Sequence, residues 1–299
     1  DSVSGNLEYW ANLKEIYTIT FHLNGGVFSG DWGTNYDKYS SYSRPGEENL
    51  VYRYVAGFKS SLPDGNSGVL KDGYFLEGWY EKADFTGDRV DSIIATDAGN
   101  KDFYAKWFEL KTPALDVADN CYEISDVAEL YGFAQMVNRI VRRKETAQHP
   151  NLCGKLTKDI VINANVLKRD GTLDGSSTST FLPWPRISYF WGTFDGQGYK
   201  ISGVYMPGID GMVSSILARA DGKPTVIRNL TIVDSYADGS GLVSYAGNPL
   251  TIDNCHFKGY NDMSKSNSLG GLGGLVGHAQ SNVVIKNSSY EGKMYSKGF

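Results

Sequence analysis

The chain has 299 residues, a net charge of −5 and only 21% charged side chains, and it carries no dense basic stripe, so we expect no nucleic-acid partner. Its 35 glycines, 20 tyrosines and 13 phenylalanines, with only 9 prolines, exclude a collagen-like or disordered chain and favour many short β-strands joined by tight turns. No apolar run approaches the ~20 residues that cross a bilayer, so no transmembrane segment is expected in this chain.

The N-terminal segment, residues 1–15, contains a short stretch that matches a later one. NLEYWANL (residues 6–13) aligns with KDFYAKW (residues 101–107), with Ala11 over Ala105. Two interpretations stay open. The segment is either the last strand of a preceding copy of the unit described next, or an ordinary N-terminal strand or tail.

Residues 16–110 show the side-chain alternation that is typical of β-strands in a small unit. In IYTITFHLNGG (residues 16–26), β-branched and aromatic residues alternate before an Asn-Gly-Gly turn. Further strands are predicted around residues 50–58, at residues 69–70, across residues 75–80 and over residues 101–107.

The order NGG, GYFLEGWYEKADFTGD and FYAKW resembles the Listeria–Bacteroides repeat, also called the internalin-type B-repeat, over about residues 16–107. The resemblance implies a β-grasp-like module of the kind found in tandem on bacterial surface proteins. The segment after NGG, residues 27–49, is much longer than the short link usual in that family.

This inserted segment supplies the candidate binding residues Trp32, Tyr36, Tyr39 and Tyr42. Aromatic rings among polar side chains can stack on sugar faces or anchor a protein interface. The alternative is that these rings pack the inserted loop onto its own module.

Residues 108–120 are typical of a linker, and a helix is predicted next, over about residues 125–143. Its apolar residues recur at the spacing of one helical face, and Ser125 is the predicted N-cap. The positions on that face are Val127, Leu130, Tyr131, Ala134, Val137 and Val141.

From residue 155 onward the chain repeats short strands with glycine turns. The asparagines at 229, 254 and 287 are 25 and 33 residues apart, and the Gly-Leu-Val segments at 241 and 274 are 33 apart. Such spacings predict a β-solenoid in which apolar residues point inward and asparagine side chains bond backbone groups at turns.

The order CYEIS, VAELYGFAQMVN, KLTKDIVIN, GTFDGQGYKISGVYM and repeated G-L-V resembles bacterial GLUG-motif proteins from about residue 121 onward. The resemblance implies a right-handed parallel β-helix on an exported protein, with the helix as its N-terminal cap. The expected fold is therefore mainly β: a small β-grasp-like module over residues 16–110, then a β-helix over residues 111–299. The last repeat lacks a capping sequence, so we expect further coils to follow.

The three cysteines are Cys121, Cys153 and Cys255. Their count alone fits one disulfide plus a thiol, or three thiols. On the β-helix interpretation, Cys121 precedes the capping helix and Cys153 precedes the first coil strand. We therefore predict a Cys121–Cys153 disulfide that contributes roughly 3–4 kcal/mol, and a buried Cys255.

No catalytic signature is present, and neither a cofactor nor a metal is expected. Asp195 in GTFDGQG is assigned to a turn because no second acid recurs at coil spacing. The stretch DFTGDRVD (residues 84–91) lacks the closing Glu of a calcium loop and is predicted to be a solvated turn. His256 and His278 are assigned to stacking or surface positions.

These features favour a non-enzymatic adhesion or stalk protein on the extracellular surface of a bacterium, whose partner is a host protein, a matrix protein or a glycan. The alternative is a carbohydrate-active β-helix, a polysaccharide lyase or hydrolase. A structural spacer without a ligand is the third interpretation.

Overall fold

The computed structural model describes residues 15–28, 49–63, 69–142, 152–185, 187, 190–207, 217–220, 224–264 and 273–296. The fold is mainly β, as predicted, and one α-helix lies in the described part. The chain divides into two compact units: Asp1–Val69 with Gly78–Lys106, and Leu70–Glu77 with Trp107–Phe299. Within the described ranges, no helix has the length and hydrophobicity that a membrane crossing requires.

The predicted strands of the N-terminal part are present, and four of them form a mixed sheet. In chain order the strands are β1 (Ile16–His22), β2 (Val27–Phe28), β3 (Asn49–Val55), β4 (Ser60–Ser61), β5 (Val69–Leu70), β6 (Tyr74–Tyr80), β7 (Ser92–Ile93) and β8 (Lys101–Glu109). The sheet has the order β3-β1-β8-β6, in which β1 is antiparallel to β3 and parallel to β8.

The core of the first unit is aromatic. Phe21 lies with its ring centroid 4.7 Å from that of Trp79 and 6.0 Å from that of Phe103. Because every second side chain of a strand points to the same face, Phe103 and Ala105 of β8 are both buried there. The predicted turn at Asn24 and Gly25 has φ values of 48° and 81°, and the Asn24 amide donates to the Ala105 carbonyl oxygen at 2.8 Å.

The second unit consists of one helix and many short strands. They are β9 (Ala114–Asp116), β10 (Cys121–Ile124), α1 (Val127–Arg142), β11 (Leu152–Leu156), β12 (Ile160–Val161), β13 (Gly192–Asp195), β14 (Lys200–Ser202), β15 (Tyr205–Met206), β16 (Leu217–Ala220), β17 (Thr225–Ala237), β18 (Val243–Ala246), β19 (Leu250–Asp262), β20 (Val276–Ala279), β21 (Val283–Lys286) and β22 (Ser289–Tyr295). Residues 108–120, predicted as a linker, thus contain β9 and the end of β8.

Helix α1 matches the predicted helix, but its N-cap is Asp126 rather than Ser125. The Asp126 carboxylate accepts the Glu129 backbone N–H at 2.9 Å, which satisfies one of the free donors of the first turn. Glu129 in turn accepts the backbone N–H and the hydroxyl of Ser125, at 2.7 and 2.8 Å. Leu130 and Ala134 on the apolar face are buried.

The strands of the second unit pair mainly in parallel and form three main rows, beside which β15 pairs with residues 236–237 of β17. The first row is β10, β11, β13, residues 225–228, residues 250–253 and β21. The second row is β12, β14, residues 231–233, residues 256–258 and the start of β22. The third row is β16, β18 and β20.

Side chains at the same position of successive strands lie over one another. In the first row Phe194, Ile227 and Ile252 are paired in register and buried. Directly after this row, Asn229, Asn254 and Asn287 have φ values of 53°, 52° and 51°. The predicted turn positions are correct, but within the described residues the three amide groups donate to other side chains rather than to backbone groups. Asn254, for example, donates to the Asn229 amide oxygen at 3.1 Å.

Candidate functional site

The predicted disulfide is present and joins neighbouring strands of the first row. Cys121 of β10 is bonded to Cys153 of β11, with the two Cα atoms 4.5 Å apart. The adjacent residues Tyr122 and Gly154 are register partners in the same parallel pair. Cys255 is a buried free thiol, as predicted, and burial raises its pKa to about 11.

The predicted binding residues Trp32, Tyr36, Tyr39 and Tyr42 lie outside the described residues. Their assignment stays a prediction. A different feature of the second unit, which sequence reasoning missed, is the strongest candidate site that the described residues contain.

The disulfide lies beside a polar surface cavity of about 390 Å³. This is within the size range of small-molecule sites in proteins. The cavity is formed by the β9–β10 turn and the outward side chains of the first row. Its lining residues are Asp119, Asn120, Cys121, Cys153, Lys155, Thr193, Asp195, Gln197 and Arg228.

Asp195 is the most constrained polar group of this cavity. Its side chain is 4% exposed, and its carboxylate accepts the Gln197 N–H at 2.9 Å, Asn229 Nδ2 at 3.1 Å and Arg228 Nε at 2.6 Å. Burial alone would raise the pKa of Asp195, but these three hydrogen bonds together hold it below the ordinary value. The bond to Gln197 closes the turn that the sequence predicts.

Arg228 is held by Asp195 and remains accessible. Its side chain is 52% exposed, and its Nε donates to Asp195 Oδ2. Within the described residues, its terminal Nη groups make no hydrogen bond. A guanidinium group has five donors in a planar fork, so most of the donors of Arg228 remain available.

Lys155 is surrounded by carboxylates. Its ammonium group lies 2.6 Å from Asp116, 2.8 Å from Asp119 and 3.6 Å from Glu123. The hydrogen bonds that Lys155 donates to Asp116 and Asp119 raise its pKa above the ordinary value. Three acidic side chains around one lysine leave a local excess of negative charge on this side of the cavity.

Lys155, Asp195 and Arg228 belong to a longer series that we name the charge row. Register pairing connects Glu123, Lys155, Asp195, Arg228, Asp253 and Lys286 on successive strands, and the sign of the charge alternates at each step. Ion pairs of 2.6 Å between Arg228 and Asp195 and 3.1 Å between Lys286 and Asp253 lie within it. A sequence signal existed: a charged residue directly precedes each turn asparagine at 229, 254 and 287.

This arrangement is suited to binding better than to acid catalysis. The general acid of a glycoside hydrolase needs a raised pKa, whereas the pKa of Asp195 is lowered and its carboxylate oxygens already accept hydrogen bonds. Among the described side chains, no group of three or more His, Cys, Asp or Glu residues could hold a metal ion. The Asp195 carboxylate is occupied by three donors, whereas the Nη groups of Arg228 remain open. The side of the cavity near Arg228 therefore offers mainly hydrogen-bond donors.

The remaining residues singled out from the sequence have structural environments. His256 lies 2.9 Å from the Ser289 hydroxyl, and His278 stacks on Tyr245 with ring planes 5° apart. Asp84 accepts the backbone N–H and the hydroxyl of Thr86 at 3.0 and 2.7 Å, which is the predicted solvated turn.

The comparisons with known proteins identify one segment of the chain. Residues 56–106 match the family model of the Listeria-Bacteroides repeat domain. No curated protein and no solved structure was found to match the chain. The match covers β6 with its Gly-Trp-Tyr sequence, and it ends at Lys106 within the Tyr-Ala-Lys-Trp sequence. Repeats of this type are found in bacterial surface proteins.

Proposed function

We propose that this chain is a non-enzymatic, extracellular module of a bacterial surface protein that acts in adhesion or as a stalk, with a host protein, matrix protein or glycan as partner. The observation that carries this proposal is the Listeria-Bacteroides repeat match at residues 56–106. The Cys121–Cys153 disulfide supports it, because disulfides persist in oxidising compartments such as the cell exterior.

We also propose that residues 111–299 form a right-handed parallel β-helix of the GLUG-motif type. Three rows of parallel strands, entered in the same order as the chain proceeds, are what a three-sided coil requires. Parallel strands joined by crossovers are right-handed in nearly all proteins. For residues 16–110, a mixed sheet with a parallel central pair supports a β-grasp-like module.

The alternative is a carbohydrate-active protein, and the polar cavity beside the first row is the observation that favours it. A lyase or hydrolase would release products, whereas an adhesin would bind without turnover. The lowered pKa of Asp195 and its three hydrogen bonds argue for binding, since the carboxylate has no proton to donate near neutral pH.

The experiment that separates these functions uses the full 299-residue chain. Binding is measured on immobilised glycans and matrix proteins, and product release is measured on the same polysaccharides with and without calcium. We expect binding without release of reducing ends or unsaturated oligosaccharides. Product release would establish the carbohydrate-active alternative, and an absence of binding to every probe would favour a spacer without a ligand.

A further inference from the structure

We propose that the cavity beside the Cys121–Cys153 disulfide binds a neutral, hydroxyl-rich sugar unit of a glycan, with Arg228 as the principal donor. This inference rests on the proposed non-enzymatic binding function and assigns a site and a ligand class to it.

The Arg228 guanidinium fork is held in place before any ligand binds. Asp195 is nearly inaccessible, and two further hydrogen bonds, from the Gln197 N–H and the Asn229 amide, fix its carboxylate. Because Arg228 is anchored through Nε, its Nη groups are held in place while they remain accessible. A donor group that is ordered before binding loses little conformational entropy when a ligand arrives.

Other polar side chains of the cavity lining can take part in binding beside Arg228. The Thr193 hydroxyl and the Gln197 amide also line the cavity, and within the described residues neither side chain makes a hydrogen bond. These groups, with the guanidinium fork, can donate to and accept from vicinal hydroxyls. The disulfide sulfurs of Cys121 and Cys153 add an apolar surface that a sugar ring can cover.

The charge around Lys155 is negative on balance. The acids Asp116, Asp119 and Glu123 outnumber Lys155, the one base that they surround. A carboxylate or sulfate on the ligand would be repelled by this excess, because the interaction is only partly screened at the edge of a cavity. A neutral sugar gains the hydrogen bonds of the fork without this repulsion.

The test compares variants inside the cavity with matched variants of the same strand row outside it. Arg228→Lys keeps the charge and removes the fork, and Thr193→Val removes a hydroxyl at nearly constant shape. The control for Arg228→Lys is Lys286→Arg, because both residues belong to the charge row. The control for Thr193→Val is Thr251→Val, because register pairing connects both threonines through Val226. Neither control residue lines the cavity. Thermal unfolding of every variant checks that the fold is retained.

Binding of the full chain to neutral and uronic-acid-containing oligosaccharides is measured by calorimetry after selection on a glycan array. We expect a neutral sugar to bind, with about tenfold weaker affinity for Arg228→Lys and about threefold weaker affinity for Thr193→Val. The two controls should bind within about twofold of the parent chain.

Four results would overturn the inference. Equal binding of the sugar by all four variants would show that it binds outside this cavity, and it would leave the proposed function in place. Preference for acidic sugars, or binding to proteins alone, would refute the ligand class. Absence of binding to any glycan or matrix protein would reject the inference and the proposed function together.

Discussion

At the scale of single residues, close approach of neighbouring backbones dictates several glycines of the second unit. Gly203 has φ of +74°, and a Cβ atom there would lie 1.7 Å from the Asn163 carbonyl oxygen. The Asn163 amide also donates to the Gly203 carbonyl oxygen at 2.8 Å. The position therefore requires both the left-handed conformation and the missing side chain of glycine.

We predict that Gly203→Ala lowers the free energy of unfolding by at least about 2 kcal/mol. Gly175→Ala is the control, because a Cβ atom at Gly175 would have no heavy atom within 4 Å, and it should change stability by less than about 0.5 kcal/mol. Urea unfolding followed by fluorescence measures both. Equal effects of the two substitutions would contradict the argument.

The buried carboxylate of Asp195 makes part of the stability dependent on pH. Since its pKa is lowered in the folded state, its contribution is complete above the ordinary value of 3.8 and is lost as the pH falls through the folded value. We predict that Asp195→Asn costs about 1–3 kcal/mol at pH 7, and that the difference from the parent chain shrinks below about pH 4.

The control for this titration is Asp253→Asn in the same charge row. Asp253 is 31% exposed and pairs with Lys286, so we expect a smaller loss at pH 7 than for Asp195→Asn. Chemical unfolding at a series of pH values gives both profiles. A loss for Asp195→Asn that stays constant down to pH 2 would show that the carboxylate contributes through shape rather than charge.

The sequence predicted individual turn residues better than the contacts between them. The Asp195 turn depends on local hydrogen bonds, and Asn24 and Asn229 adopt the left-handed conformations expected at turns. The Arg228–Asp195 ion pair depends on which strands are neighbours and on their register. Register emerges only when the parallel strands pair, so the cavity could not be found from spacing alone.

At the scale of elements, the long periodic segments were predicted, whereas some short paired strands were missed. Helix α1 shows apolar spacing over four turns, and its observed bounds, Val127–Arg142, agree with the prediction to within two residues. Strand β9 has only three residues, too few for alternation to be visible. It forms by antiparallel pairing with β10, in which Cys121 lies opposite Asp116.

The disulfide is the covalent link between elements on either side of helix α1. We predict that replacing both Cys121 and Cys153 by serine lowers the free energy of unfolding by roughly 3–4 kcal/mol. Without the disulfide, the unfolded chain regains the conformational entropy that closure of the loop removes. Thermal unfolding of the parent chain with a thiol reductant should approach that of the double variant.

The double variant provides the control for this measurement, because reductant should leave its unfolding temperature unchanged. Cys255 does not interfere with the comparison, since it is a buried free thiol in both proteins. Two free thiols at Cys121 and Cys153 by intact mass in the untreated chain, or no effect of reductant, would contradict the prediction.

At the scale of the whole molecule, the parallel rows predict a gradient of local stability within the second unit. Strand β17 pairs with β13, β14 and β15 on one side and with β19 on the other. Strand β22 pairs only with β19 among the described strands, and its residues Met294 and Tyr295 are about half exposed. Fewer neighbours and less buried apolar surface lower the free energy of local opening.

We therefore predict that backbone amides of β17 and of the matching part of β19 exchange with deuterium most slowly, and that those of β22 exchange faster by at least about tenfold. Hydrogen exchange with peptide-level mass spectrometry measures this directly. Tyr290 provides a variant, because its ring stacks on Phe257 at a centroid distance of 5.7 Å. Tyr290→Ala should accelerate exchange in β22 while leaving residues 225–228 of β17 unchanged. Equal protection of β17 and β22 would show that these parallel strands open as one cooperative body.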